Sequence, residues 1–238
     1  MINADQKTKT EITAEEFKIR IENDNYNFKD CIFTEKIKIT KVENILIFKG
    51  AEFQEDVEII GANFDKELIF RDTKFTKKLI CKNVKFRDIY FEGTEFQDDV
   101  DFSQKTDTNV SFLNEAIFSD TIFKENANFN GVDFQSDKID FSGAKFEGNV
   151  DFRNVKFKDN ALLDFSSATM EKTIIFSLAD TSKYQDLEIK LYNCNCHYFS
   201  CDNVELQNIK LRSDRLSDVS WKMLNEKEKE DLKKEFNI

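Results

Sequence analysis

The chain has 238 residues, with 25 phenylalanines, six glycines and no proline, and 35 Lys and Arg stand against 46 Asp and Glu for a net charge of −11. An aromatic interior beneath a heavily charged surface excludes disorder. The acidic balance excludes a general nucleic-acid binder, because phosphate contacts need clustered cations.

The chain opens Met1-Ile2-Asn3-Ala4-Asp5-Gln6, with no basic region leading into an apolar one, and no later stretch approaches the roughly 20 apolar residues that span a bilayer. A soluble, cytoplasmic protein with no membrane partner is expected. Thr13-Ala14-Glu15-Glu16 has the pattern of a capping box and predicts a short helix through about Asn23. Residues 1–27 therefore read as an N-terminal segment with a capping helix.

From Phe28 onward the sequence repeats. Apolar centres fall at Phe48, Phe53, Ile59, Phe64, Phe70, Phe75, Cys81, Phe86, Phe91, Phe96 and Phe102, in steps of five or six residues. They resume at Phe112, with the interval after Phe102 read as skipping one centre, and run through Phe118, Phe123, Phe129, Phe134, Phe141, Phe146, Phe152, Phe157, Phe165, Met170 and Phe176. The longer steps before Phe141 and Phe165 predict small corner insertions. Two residues before each centre sits a small or β-branched residue, as in Ala51-Glu52-Phe53 and Val84-Lys85-Phe86. Alternation in an extended segment sends both inward, and sends Glu52, Asn63, Lys74, Lys85, Glu95, Asp101, Asn128 and Asp133 outward. One residue further back stand Gly50, Gly61, Asp72, Asn83, Gly93, Asn126, Gly131, Gly143 and Asn154, types that adopt positive φ at least cost and so suit corners.

A 3.6-residue period cannot keep such centres on one face, and hairpin turns are absent, so the pattern predicts an all-β solenoid: a four-sided coil with about 22 residues per turn. Residues 28–211 would give roughly eight or nine coils, each hiding its apolar side only against its neighbours. The final stretch keeps five-residue steps through Leu191, Cys196, Cys201, Leu206 and Leu211. Residues 212–238 carry Trp221, Leu224, Glu228, Leu232 and Phe236 near helical spacing. Such a helix has three open roles: covering the last coil, pairing with a second copy as a homodimer, or projecting into solvent.

The triplets Ala51-Glu52-Phe53, Ala62-Asn63-Phe64, Ala127-Asn128-Phe129 and Ala144-Lys145-Phe146 resemble the tandem motif of the pentapeptide-repeat family. The resemblance covers about residues 28–211 and departs from the simplest family pattern in its alternating five- and six-residue steps. It implies a right-handed, four-sided parallel β-helix. Some members of the family imitate duplex DNA and occupy type II topoisomerases, which gives one functional expectation.

Little here suggests catalysis. The chain has one histidine, no evident nucleophile beside it, and no glycine-rich phosphate loop. Cys194, Cys196, His197 and Cys201 have zinc-like spacing, but the cysteines fall on inward positions of different faces and His197 points out, so they read as core. Cys31 and Cys81 also fall inward, and an odd total of five cysteines argues against a disulfide framework. No catalytic, cofactor or metal residue is expected.

Charge is polarised along the chain: residues 65–91 hold eight Lys and Arg against four Asp and Glu, residues 92–140 twelve Asp and Glu against three Lys and Arg. The second stretch nominates an acidic partner surface at Glu95, Asp98, Asp99, Asp101, Asp133 and Asp140. Stacking at about 22 residues also aligns Ile47, Ile69 and Tyr90 in an outward column, which reads equally as an interface or as a patch covered by the N-terminal segment. The expectation is a non-catalytic interaction module with a protein partner and no direct nucleic acid. The alternative is a DNA mimic directed at a topoisomerase, which the acidic stretch supports and the basic one opposes.

Overall fold

In a computed structural model of the chain, residues 9–40, 42–103, 109–178, 187–201 and 209–212 are described. They wind into a β-solenoid whose strands all pair in parallel, each with its counterpart one coil away. Four columns of inward centres define four faces. Face one stacks Ile12, Phe33, Phe53, Phe75, Phe96, Phe123, Phe146, Met170 and Cys196 in register. Face two carries Ile39, Ile59 and Cys81, continues through the paired residues Val100–Asp101, Ala127–Asn128 and Val150–Asp151, and ends with Phe176 and Cys201. Face three stacks Phe64, Phe86, Phe112, Phe134 and Phe157. On face four Phe28, Phe48, Phe70, Phe91, Phe118, Phe141, Phe165 and Leu191 each donate a backbone N–H to the coil that follows.

Those eight centres on face four bound seven turns, about 34 Å of rod at ~4.8 Å per rung. Ile209–Arg212 begins an eighth, so the estimate of eight or nine coils was high. Corner insertions lengthen the turns, so the seven from Phe28 to Leu191 average about 23 residues, and the register also shifts at the end. Leu211 pairs with Ile189, not Leu191, so it takes the position two before a centre. Nor is any centre skipped after Phe102. Phe112 stacks directly on Phe86, so the ten-residue interval is an insertion at one corner between consecutive faces.

Step length belongs to the corner. From face four to face one it is always five residues, from Phe28–Phe33 to Leu191–Cys196; from face one to face two it is six, from Phe33–Ile39 to Met170–Phe176. The sixth residue has a structural role. Side-chain oxygens of Asp56, Asp99, Asn126 and Asn149 accept the backbone N–H of Lys78, Asn126, Asn149 and Thr173, each one coil on, so this corner is stitched by its own ladder. Asn126 belongs to that ladder and is not among the positive-φ corner residues. In the last coil the step drops to five, and the pairing breaks register between Met170 and Thr173.

The five-residue corner is held differently. Asp30, Gly50, Asp72, Gly93, Asp120, Gly143, Ser167 and Asn193 form a column in which every residue has positive φ, between 52° and 70°. Asp and Gly alternate through its first six rungs because each Asp side chain leans into the space where the next residue would carry a Cβ. Beside it, Thr73, Thr94 and Thr121 are buried, and their hydroxyls donate to the carbonyls of Phe48, Phe70 and Phe91 one coil back. A buried hydroxyl without such a partner would cost about 1–3 kcal/mol.

The core is aromatic along its whole length. Rings stack along the axis, as in Phe70–Phe91 at 5.1 Å and 4° and Phe129–Phe152 at 4.8 Å and 4°, and meet edge-on across it, as in Phe118–Phe129 at 89°. Both arrangements suit the ring quadrupole. Cys31 and Cys81 are buried among them, and burial pushes the Cys81 thiol well up.

The helix Ala14–Glu22 closes the N-terminal end. Thr13 accepts the Glu16 N–H as its cap, and Phe17 packs on Phe28, Phe33 and Phe48. No helix among the described residues is long and apolar enough to cross a membrane. The helix expected within 212–238, and the centre at Leu206, lie outside the described residues.

Candidate interaction surface on face four

The outward column on face four brings Ile47, Ile69 and Tyr90 onto consecutive rungs as the spacing predicted, and Ile117 extends it by one. All four are half-buried. The described part of the N-terminal segment goes elsewhere: Thr10–Ile12 pairs with Cys31–Phe33 on face one, and the helix packs on the coil end. Of the four most exposed large apolar side chains among the described residues, Ile45 precedes the strand that carries Ile47 and Leu113 lies within the strand that carries Ile117.

Two residues back on the same rungs runs a second outward column, Glu67, Asp88 and Glu115, in register. It places three carboxylates on successive rungs beside the apolar stripe. Asp88 is buried, accepts from the Asn114 amide and lies 3.5 Å from Arg87. Glu115 accepts the Tyr90 hydroxyl at 2.5 Å. Burial, that hydrogen bond and the three nearby carboxylates push the Tyr90 phenol well above its usual range. The Arg71 guanidinium covers the Tyr90 ring at 4.7 Å. Among the described residues neither Glu67 nor Glu115 has a cation within ion-pair distance.

The sequence reading missed Glu115 and Ile117 for the same reason. Its alignment at 22 residues failed at the turn from Phe91 to Phe118, which the corner insertion after Phe102 lengthens. Counting back from the centres finds the column, since Glu67, Asp88 and Glu115 stand three residues before Phe70, Phe91 and Phe118.

The six carboxylates nominated from the acidic stretch do not converge. Glu95 is on face one and Asp98 and Asp99 at the six-residue corner, while Asp101 is on face two, Asp133 on face three and Asp140 on face four. Several already have cations: Lys124 sits 2.9 Å from Glu95, Lys78 2.7 Å from Asp99, and Lys138 2.6 Å from Asp140. Asp140 is buried, contrary to its outward assignment, and its carboxylate accepts the Ser142 N–H. Asn128 is buried for a related reason: its side chain turns back to accept the Asn130 N–H.

Backbone pairing puts Cys196 over Met170 and Cys201 over Phe176, on two different faces, while Cys194 is half-buried beside the core. No cluster of His, Cys, Asp or Glu suited to a metal occurs among the described residues. The His197 side chain lies outside them.

A family model for pentapeptide repeats (9 copies) matches residues 141–182. The matched stretch carries the repeats of that family. The same ladder, centre spacing and corner columns continue from the matched part back to Phe28. No curated protein matches the sequence. Repeat β-helices of this family are generally non-catalytic interaction modules.

Proposed function

We propose that this repeat protein is a non-catalytic scaffold that docks a protein partner on face four. The observation that carries the reading is the stripe Ile47, Ile69, Tyr90 and Ile117 lying in register beside Glu67, Asp88 and Glu115. A contiguous apolar patch edged by charge is the usual composition of a docking surface, with the apolar part supplying affinity and the charges supplying approach and orientation. A ladder with a neighbour on each side holds those side chains at fixed spacing.

The DNA-mimic reading draws less support, because the carboxylates of the acidic stretch are spread over four faces and several are paired with lysine. The test of docking is comparative capture with immobilised wild type and an Ile69→Ser/Ile117→Ser variant of equal thermal stability. A protein held by the first and released by the second supports face four. Retention by both moves the interface elsewhere. Inhibition of gyrase supercoiling that survives these substitutions would revive the mimic.

A further inference from the structure

We infer that the partner presents a basic amphipathic α-helix laid along the axis of the solenoid. The inference rests on face four being the docking surface and asks what shape of segment its spacing admits. From Ile47 to Ile117 are three rungs, about 14 Å at ~4.8 Å each. A helix lying along this line repeats its contact face every ~5.4 Å, so it falls out of step by roughly 0.6 Å per rung and about 2 Å over the stripe. An extended segment repeats every ~6.7 Å, drifts roughly 2 Å per rung, and has lost register by the third. Side-chain reach absorbs the first mismatch and not the second.

The charges set the composition. An apolar helix face against Ile47, Ile69, Tyr90 and Ile117 leaves its flank over Glu67, Asp88 and Glu115, and two of these have no cation of their own among the described residues. Lys or Arg on that flank completes them. Of the cations of this chain nearby, Arg87, Arg71 and Lys138 are already paired, with Asp88, Glu92 and Asp140, and Lys66, beside Glu67 in the chain, makes no ion pair with it. A second copy of this chain is a poorer occupant. A two-fold interface whose axis crosses the stripe would bring the carboxylate column against itself.

The test uses two synthetic peptides of about 14 residues and identical Leu and Lys content. One is patterned with helical period and one with strict alternation, and both are titrated by fluorescence anisotropy. The targets are the full chain, its Ile69→Ser/Ile117→Ser variant and its Glu67→Gln/Glu115→Gln variant, each first shown to melt like wild type. The expected result is that the helical peptide binds wild type about tenfold more tightly than the alternating one and loses about tenfold on each variant. Equal or tighter binding of the alternating peptide, lost on the variants, overturns the helix and leaves face four standing. Binding of both peptides that neither variant weakens overturns face four itself. Failure of the helical peptide to bind wild type overturns the helix.

Discussion

The Asp72 carboxylate oxygen lies 2.8 Å from the point where a Cβ on Gly93 would stand, one coil further along the same corner. Gly93 also has φ 67°. Alanine there therefore meets two costs, roughly 1–2 kcal/mol for the left-handed conformation and a smaller one for moving the exposed Asp72 carboxylate aside. Gly93→Ala should lower the urea midpoint, and adding Asp72→Gly should restore the part due to contact. Equal losses in both backgrounds would show that the contact is not felt.

Phe129 is stacked on Phe102 and Phe152 and fully buried. Phe129→Ala should cost about 3–5 kcal/mol through the cavity it leaves. Asn128, although next to it on the outward side, is also buried and holds the Asn130 N–H. Asn128→Ala should cost about 1 kcal/mol. Equilibrium unfolding of the pair checks the ranking, and a milder Phe129 substitution would contradict the core assignment.

Asp151 is fully buried, and its carboxylate takes the Arg153 backbone N–H and guanidinium together with the Asn130 amide. Removing the cation leaves a buried charge uncompensated, so Arg153→Ala should cost about 3–5 kcal/mol. Arg153→Ala combined with Asp151→Asn should be milder than Arg153→Ala alone. A double-mutant cycle with no coupling would mean that the guanidinium contributes only packing.

Asp140 gives a dependence on acid. Burial works to raise its pKa, but hydrogen bonds from Lys138 and Ser142 outweigh it and hold the carboxyl below its ordinary 3.8. A lowered folded value means that the stability it contributes is present above the ordinary pKa and is lost as pH falls through the folded one. Asp140→Asn should therefore be less stable than wild type at neutral pH, with the gap closing in melts taken below about pH 4. A gap that stays constant would remove Asp140 from the acid transition.

Inward positions were legible because Phe is both the commonest centre and the least ambiguous signal of burial. Outward positions were harder. Asn128, Asp140 and Asp151 sit in outward slots but fold their side chains back onto the backbone two residues on, and one letter cannot distinguish that from a solvated carboxylate. Contiguity along the chain also misled, since residues 92–140 wrap around the coil and spread their charge over every face. The surface on face four joins residues from four coils. It becomes visible only once each corner has its own length.

The alternation of Asp and Gly from Asp30 to Gly143 sets the true wavelength of this part of the molecule at two coils, 42 residues from Asp30 to Asp72 and 43 from Gly50 to Gly93. Excising one coil would bring aspartate over aspartate or glycine over glycine across the scar. Excising two would restore the original sequence of neighbours. Duplication and loss in this stretch should be tolerated in even steps, and a rod made longer for use as a spacer should be extended by pairs.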